Sequence, residues 1–165
     1  MSLFDKAAGF AAAAHIGQLR RYTNEPYITH PLAVAELVRA TGAREAVVAA
    51  AVLHDVLEDT GITVDELRAA FGDEIADLVV AVTNVYRSGT PGSRAVRKAR
   101  EANRLSTVCA DAQTIKVADV LHNTMTLAER DPKFAATYLP EKAALLTLLT
   151  KADPTLRAKA REIKR

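Results

Sequence analysis

The stretch AVVAAAVLHDVLEDT, Ala46 to Thr60, runs eight apolar residues straight into His54, Asp55, Glu58 and Asp59. An unbroken run of small and branched apolar side chains belongs in a core. On both sides of it, apolar residues recur at three- and four-residue spacing, and alternating β-type runs are nearly absent. The implied fold class is all-α, a compact multi-helix bundle. The acidic end is harder to place, because an ionised carboxylate withdrawn from water is costly unless it is paired or bound to a metal.

Working outward, the quoted stretch predicts a third helix from Arg44 to about Glu58. Before it, a first helix fits Leu3 to about Gly17. The irregular segment RRYTNEPYIT follows, then a second helix with Pro31 in its first turn, running to about Ala40 and closed by Thr41 and Gly42. After it, Thr63 and Glu66 form a capping box for a short helix ending at Phe71 and Gly72, and another begins near Asp73. The loop RSGTPGS, Arg87 to Ser93, is read as a flexible surface segment that divides no domains. Helices from about Arg94 to Val108 and from about Asp111 to Arg130 come next, then two more opened by Pro140 and by Asp153 with Pro154. The whole chain, 1–165, is expected to be a single domain.

Composition narrows the function classes. Of 165 residues 49% are apolar, enough for one core, and no apolar run approaches the roughly 20 residues that span a bilayer. The start MSLFDKAAGF carries an acid where a signal peptide carries only bases, so a soluble cytoplasmic protein is expected. The lone Cys109 excludes an internal disulfide and a cysteine-based zinc site. The net charge is +2, with bases crowded at Arg94, Arg97, Lys98 and Arg100 and in the last fifteen residues. Such clusters attract phosphates or simply form solvated helix faces.

The chemistry-bearing residues fall in three places. In AVLHDVLEDT, His54 and Glu58, and likewise Asp55 and Asp59, are four apart, so a continuous helix puts them on neighbouring faces of one turn. In QTIKVADVLHNTMTL, Asp119 sits in an otherwise apolar register, with Lys116 before it and Asn123 one turn later. His30 directly precedes Pro31 at a helix start. Two imidazoles with two carboxylates form a mixed nitrogen and oxygen set suited to Mn²⁺, Fe²⁺, Zn²⁺ or Co²⁺ rather than Ca²⁺ or Mg²⁺. Such an ion lowers the pKa of water and polarises phosphoryl oxygens, which is the chemistry of phosphate ester hydrolysis. Spacing alone leaves this reading level with helix-capping acids and satisfied histidines.

Three stretches, AHIGQLRRYTNEPYITHP (Ala14 to Pro31), VLHDVLEDT (Val52 to Thr60) and IKVADVLHNT (Ile115 to Thr124), resemble the HD-domain phosphohydrolases. Within that superfamily they resemble the hydrolases of the RelA/SpoT homologue group, and among those the single-domain small alarmone hydrolases. The resemblance implies the compact HD-domain helical fold. It implies that His30, His54, Asp55 and Asp119 hold a metal, typically Mn²⁺, and that Glu58 and Asp59 flank the attacking water. It further implies that Asn123 orients water or the scissile phosphate and that Arg20 and Arg21 contact the nucleotide. Lys116 matches a lysine of the family's pattern, and its two readings, substrate contact and pairing with a core acid, both stand. The implied reaction is removal of the 3′-pyrophosphate from guanosine tetra- or pentaphosphate, or from the adenosine equivalents, giving GDP or GTP and pyrophosphate. The implied partner is thus a small nucleotide, with no nucleic acid and no membrane.

Two departures stand out. RYTNEP occupies the place where R-x-S-G-E-P is frequent, so the loop is expected to be shaped differently, and Val120 follows Asp119 where the long enzymes commonly carry a base. The chain ends before a synthetase domain could fit, so hydrolysis alone is expected. Competing readings are an HD phosphohydrolase acting on another phosphorylated nucleotide, a catalytically silent nucleotide-binding protein, and a basic helical module for nucleic acid.

Overall fold

The computed structural model describes residues 1–162, apart from the side chains of Thr126, Ala128 and Glu129. Ten α-helices form among the described residues. There is no strand among them, and Leu19 and Pro26 make one isolated antiparallel bridge. None of the described helices is long and apolar enough to cross a membrane. The helices pack as two compact units, Met1–Thr83 and Asn84–Arg165.

The first unit is built around α3 (Glu45–Val52), whose residues Val47 to Val52 are all buried. A helix apolar on every side must be surrounded. Here α1 (Leu3–Ala14), α2 (Thr29–Arg39) and α6 (Asp73–Val82) pack on it, and α5 (Val64–Phe71) packs on α6. The alanines at 49, 50 and 51 keep its girth small, so neighbouring backbones approach closely. Ser2 with Asp5 and Thr63 with Glu66 form reciprocal capping boxes that start α1 and α5. Gly72, at φ +81°, makes the turn between α5 and α6 in the left-handed region where a side chain would be strained.

The expected third helix is broken. It ends at Val52, and a separate turn, α4 (Val56–Asp59), begins after Asp55. The cause lies at the Ala51 carbonyl, which in a continuous helix accepts the N–H of Asp55. That carbonyl is taken by His54, through its backbone N–H at 3.4 Å and through ring Nδ1 at 2.7 Å. The side chain outcompetes the ladder, and the backbone tightens to an i−3 bond from Val56 to Leu53 of 3.1 Å.

The second unit holds α7 (Arg94–Thr107), α8 (Ala110–Arg130), α9 (Pro132–Leu148) and α10 (Pro154–Glu162), with α8 and α10 packing on each other and on α9. Gln113, fully buried on α8, donates to the carbonyls of Leu105 and Ser106 and accepts from the amide of Lys151 at 2.9 Å. It thereby closes the end of α7, whose last carbonyls have no partner within the helix. A second expectation fails here: Pro140 opens no helix but lies inside α9. The start is at Asp131 and Pro132, where the Asp131 side chain accepts from the amide of Phe134 at 3.0 Å and proline occupies the first turn. Pro140 has Leu139 before it, which cannot cap.

Most of the basic segment serves the second unit itself. Arg97 donates to the carbonyl of Gly92 at 2.6 Å and Arg100 to that of Pro91 at 3.2 Å, tying α7 to the loop that precedes it. In the basic tail, Lys151 donates to the carbonyls of Thr107 and Val108. Lys164 and Arg165 lie outside the described residues.

Candidate metal centre

In the first unit, α2 delivers His30 and the break after α3 delivers His54 and Asp55. Their ligand atoms all lie within 4.8 Å of one another. His30 and His54 are 1% and 3% exposed, and their rings meet edge to face at 5.1 Å. The broken helix makes the cluster, since adjacent residues in a regular helix diverge by about 100°. Instead, Nε2 of His54 is 3.0 Å from Oδ2 of Asp55, and Nε2 of His30 is 3.6 Å from the same oxygen.

The proton positions follow from the acceptor. A carbonyl only accepts, so Nδ1 of His54 carries a hydrogen, which leaves Nε2, turned toward a carboxylate oxygen, as the ring's ligand atom. A nitrogen and a carboxylate oxygen at that distance are held together by a shared proton or by a metal ion. Two imidazole nitrogens and a carboxylate, largely buried, therefore fit a divalent transition metal.

Tyr27, in the loop before α2, ties the cluster to its neighbour. Its hydroxyl lies 2.7 Å from Oδ2 of Asp55 and 3.2 Å from Oδ2 of Asp59, and its single proton serves one carboxylate at a time. Partial burial first, and the negative charge of Asp55 second, hold the Asp59 carboxyl above its ordinary range. The backbone carbonyl of Asp59 accepts from Gln18 Nε2 at 2.8 Å, and Gln18 Oε1 accepts from Nδ1 of the buried His15 at 2.8 Å. The His15 ring in turn lies 4.8 Å from that of Tyr27. The sequence reading gave no role to His15, Gln18 or Tyr27. Their signal is a histidine and a glutamine three apart at the end of an amphipathic helix, followed by an aromatic just before the ligand-bearing one. Glu58 is half-buried on α4.

Arg20 and Arg21 stand in the irregular segment, the first 5.9 Å from the Tyr27 ring and the second 5.3 Å from that of Tyr22. The loop between them and α2 closes through two backbone bonds, Arg20 to Glu25 at 2.8 Å and Tyr27 to Gln18 at 2.9 Å. Asn24 takes φ +56°, the conformation glycine most easily adopts. Asparagine tolerates that region, so the missing glycine does not remove the left-handed turn.

The remaining residues read from the sequence are on α8 in the second unit. Asp119 is 6% exposed. Lys116 Nζ lies 2.8 Å from one of its carboxylate oxygens, and Asn123 Nδ2 donates to the other at 2.6 Å. The pairing of Lys116 with a core acid, one of its two readings, is thus realised. A carboxylate has about four lone-pair directions, so these two contacts orient Asp119 without exhausting it.

Comparison with known proteins follows these residues. The chain matches the HD-domain model over residues 7–150. It is 42% identical over 134 residues to a Synechocystis protein named probable guanosine-3′,5′-bis(diphosphate) 3′-pyrophosphohydrolase, covering 79% of this chain and 17% of that one. It is 38% identical over 138 residues to a Mycobacterium leprae protein named probable GTP pyrophosphokinase, again covering 17% of the relative. The chain thus spans about a sixth of the length of these curated relatives. Among solved structures it is similar to a metazoan ortholog of SpoT that hydrolyzes ppGpp and plays a role in starvation responses. That match has a TM-score of 0.87 at 26% identity and covers 99% of this chain and 94% of the other. With a family match running through His30, the His54-Asp55 pair and Asp119, this chain belongs to the HD-domain family.

Proposed function

We propose that this chain is a metal-dependent hydrolase that removes the 3′-pyrophosphate of guanosine tetra- or pentaphosphate, or of the adenosine equivalents, releasing pyrophosphate and GDP or GTP. The observation that carries the reading is the convergence of His30, His54 and Asp55 beside the Tyr27-linked carboxyl of Asp59. The likeness to a ppGpp-hydrolysing ortholog across nearly its whole length supports the same substrate class.

Two finer assignments belong to the proposal. The two units act as one hydrolase domain, supported by a family match that runs through both. His30, His54, Asp55 and, from the second unit, Asp119 hold the ion, which we take to be Mn²⁺. When bound, that ion lowers the pKa of water and polarises a phosphoryl oxygen. The chain's own residues do the rest. Asp59, its carboxyl raised above the ordinary range, accepts the proton of the attacking water, and Glu58 on the same turn positions that water. Tyr27 donates to Asp55 or to Asp59, one at a time, and Asn123 fixes Asp119. Arg20 and Arg21 offset the phosphate charge of the substrate, a role guanidinium forks suit. Lys116 neutralises Asp119 and stands at the edge of a second-unit cavity.

The test is product analysis. Protein loaded with Mn²⁺ and given guanosine and adenosine 3′-pyrophosphates should release pyrophosphate from at least one of them. Release of orthophosphate alone, or no turnover of either, would overturn the reading.

A further inference from the structure

Asp59 stands where helical structure runs out. It is the last residue of α4, a single turn of four residues, and Thr60 beyond it is extended at φ −131° and ψ −179°. One turn fixes many dihedral angles for very few hydrogen bonds, so it has little stability of its own. Its final carbonyls also lack the amides that a following turn would supply. Two side chains stand in for that turn. Thr60 Oγ1 donates to the carbonyl of Val56 at 2.5 Å, and Gln18 Nε2 donates to the carbonyl of Asp59 at 2.8 Å. The second bond reaches across 41 positions and ties α4 to the loop after α1.

Gln18 is itself held in one orientation. The Asp59 carbonyl only accepts, so the amide nitrogen of Gln18 faces it and Oε1 faces the other way. There Nδ1 of His15 donates to Oε1 at 2.8 Å. His15 is 3% exposed, and its Nε2 meets no hydrogen-bond partner among the described residues. The polar function of this buried ring is therefore directed at Gln18. The same two residues place Tyr27. Its amide donates to the Gln18 carbonyl at 2.9 Å, its ring lies 4.8 Å from that of His15, and its hydroxyl is 3.2 Å from Asp59 Oδ2. His15 and Gln18 thus set both the main chain of Asp59 and the tyrosine that faces its carboxylate.

We propose that Gln18, oriented by His15, is a positioning residue for Asp59, holding the α4 turn so that the carboxylate meets the attacking water. The inference rests on the hydrolase reading above and deepens it. Gln18 acts through Asp59, so its side chain governs the chemical step and leaves the binding of ion and nucleotide to other residues. A substitution there keeps the backbone carbonyl that receives the Tyr27 amide, which confines the change to the bonds with Asp59 and His15.

The experiment compares the full, Mn²⁺-loaded parent with Gln18→Met, His15→Leu and His15→Asn. It measures kcat and KM for pyrophosphate release from guanosine and adenosine 3′-pyrophosphates, and bound metal by elemental analysis. Methionine matches the length of glutamine and removes both hydrogen bonds. Its kcat should fall on the order of 10–100-fold, the effect of misplacing a reacting group by about 1 Å. KM and metal content should stay within about twofold of the parent, because only the chemical step is disturbed. At position 15, leucine and asparagine both lose the ring against Tyr27, but asparagine keeps an N–H on the atom that follows Cγ, where Nδ1 stands in histidine. His15→Asn should therefore turn over at least about fivefold faster than His15→Leu, a rescue that a merely space-filling histidine would not show.

Parental kcat in Gln18→Met overturns the proposal, as does loss of metal in step with activity. Equal kcat in the two His15 variants does the same, and that comparison decides alone should Gln18→Met fail to fold. A parent that releases no pyrophosphate removes the hydrolase reading and this inference together, whereas an active parent with an equally active Gln18→Met removes the inference only.

Discussion

Replacing Lys142 by Met should stabilise the protein at neutral pH. The side chain is half-buried among Lys98, Lys116 and the Tyr138 ring, and its pKa is drawn from 10.5 to about 8. In the unfolded chain the same lysine titrates near 10.5, so between those two pH values the unfolded state holds a proton that the folded state has released. Stability therefore rises with pH across that window, and the cost of the buried ammonium is fully present below about pH 8. At 1.36 kcal/mol per pKa unit, the cost is about 3 kcal/mol. Methionine keeps most of the stem but loses the contact between Nζ and the Tyr138 ring at 4.8 Å. That contact is worth about 0.5–1 kcal/mol. Urea unfolding in phosphate-free buffer should thus show Lys142→Met about 2 kcal/mol more stable than the parent at pH 7. The stability difference between parent and variant cancels every other titrating group, and it should move in the parent's favour by about 2 kcal/mol on going to pH 10. A difference that is flat over pH 7 to 10, or a variant less stable at pH 7, refutes the reasoning about the cavity's charge.

Five other changes probe the rest of the molecule. His54→Ala and Asp119→Ala should each lose bound metal and turnover together, read by elemental analysis beside product release; metal retained with full activity removes these residues from the ligand set. Glu58→Ala should keep its metal while kcat drops by about 10²–10⁴-fold, and an unchanged kcat rejects a water-handling role. Tyr27→Phe takes a hydrogen bond from Asp55 and should weaken metal affinity by about 10–100-fold, as measured by competition with a chelating dye. Gln113→Leu strands the amide of Lys151 and the carbonyls of Leu105 and Ser106, and should cost about 2–4 kcal/mol of stability in a denaturant melt.

How much was legible depends on what kind of interaction sets each feature. Both capping boxes are local, since serine or threonine and an acid three residues on satisfy each other within one turn, and the start of α5 at Val64 after Thr63 falls where the sequence places it. Pro140 misled for the opposite reason. A proline is a strong local signal, yet α9 continues through it because Asp131 and Pro132 had already supplied a better start and the buried Leu145 and Leu146 hold the later turns. Tyr27 was invisible as a site residue because its partners, Asp55 and Asp59, are 28 and 32 positions away.

The opening stretch shows the same division. That Ala46 to Leu53 is buried helix follows from composition and period alone, because a run with no polar face has nowhere else to go. The sequence also named His54, Asp55, Glu58 and Asp59 as residues needing an explanation, and a family resemblance paired them with His30. It placed them on one continuous helix, where neighbours point apart. Only the folded chain decided otherwise: the His54 ring captures the Ala51 carbonyl, the helix breaks, and His54 and Asp55 swing onto a common point with His30. A competition between one side chain and one backbone amide for a single acceptor is settled by local geometry and packing, which periodicity does not encode.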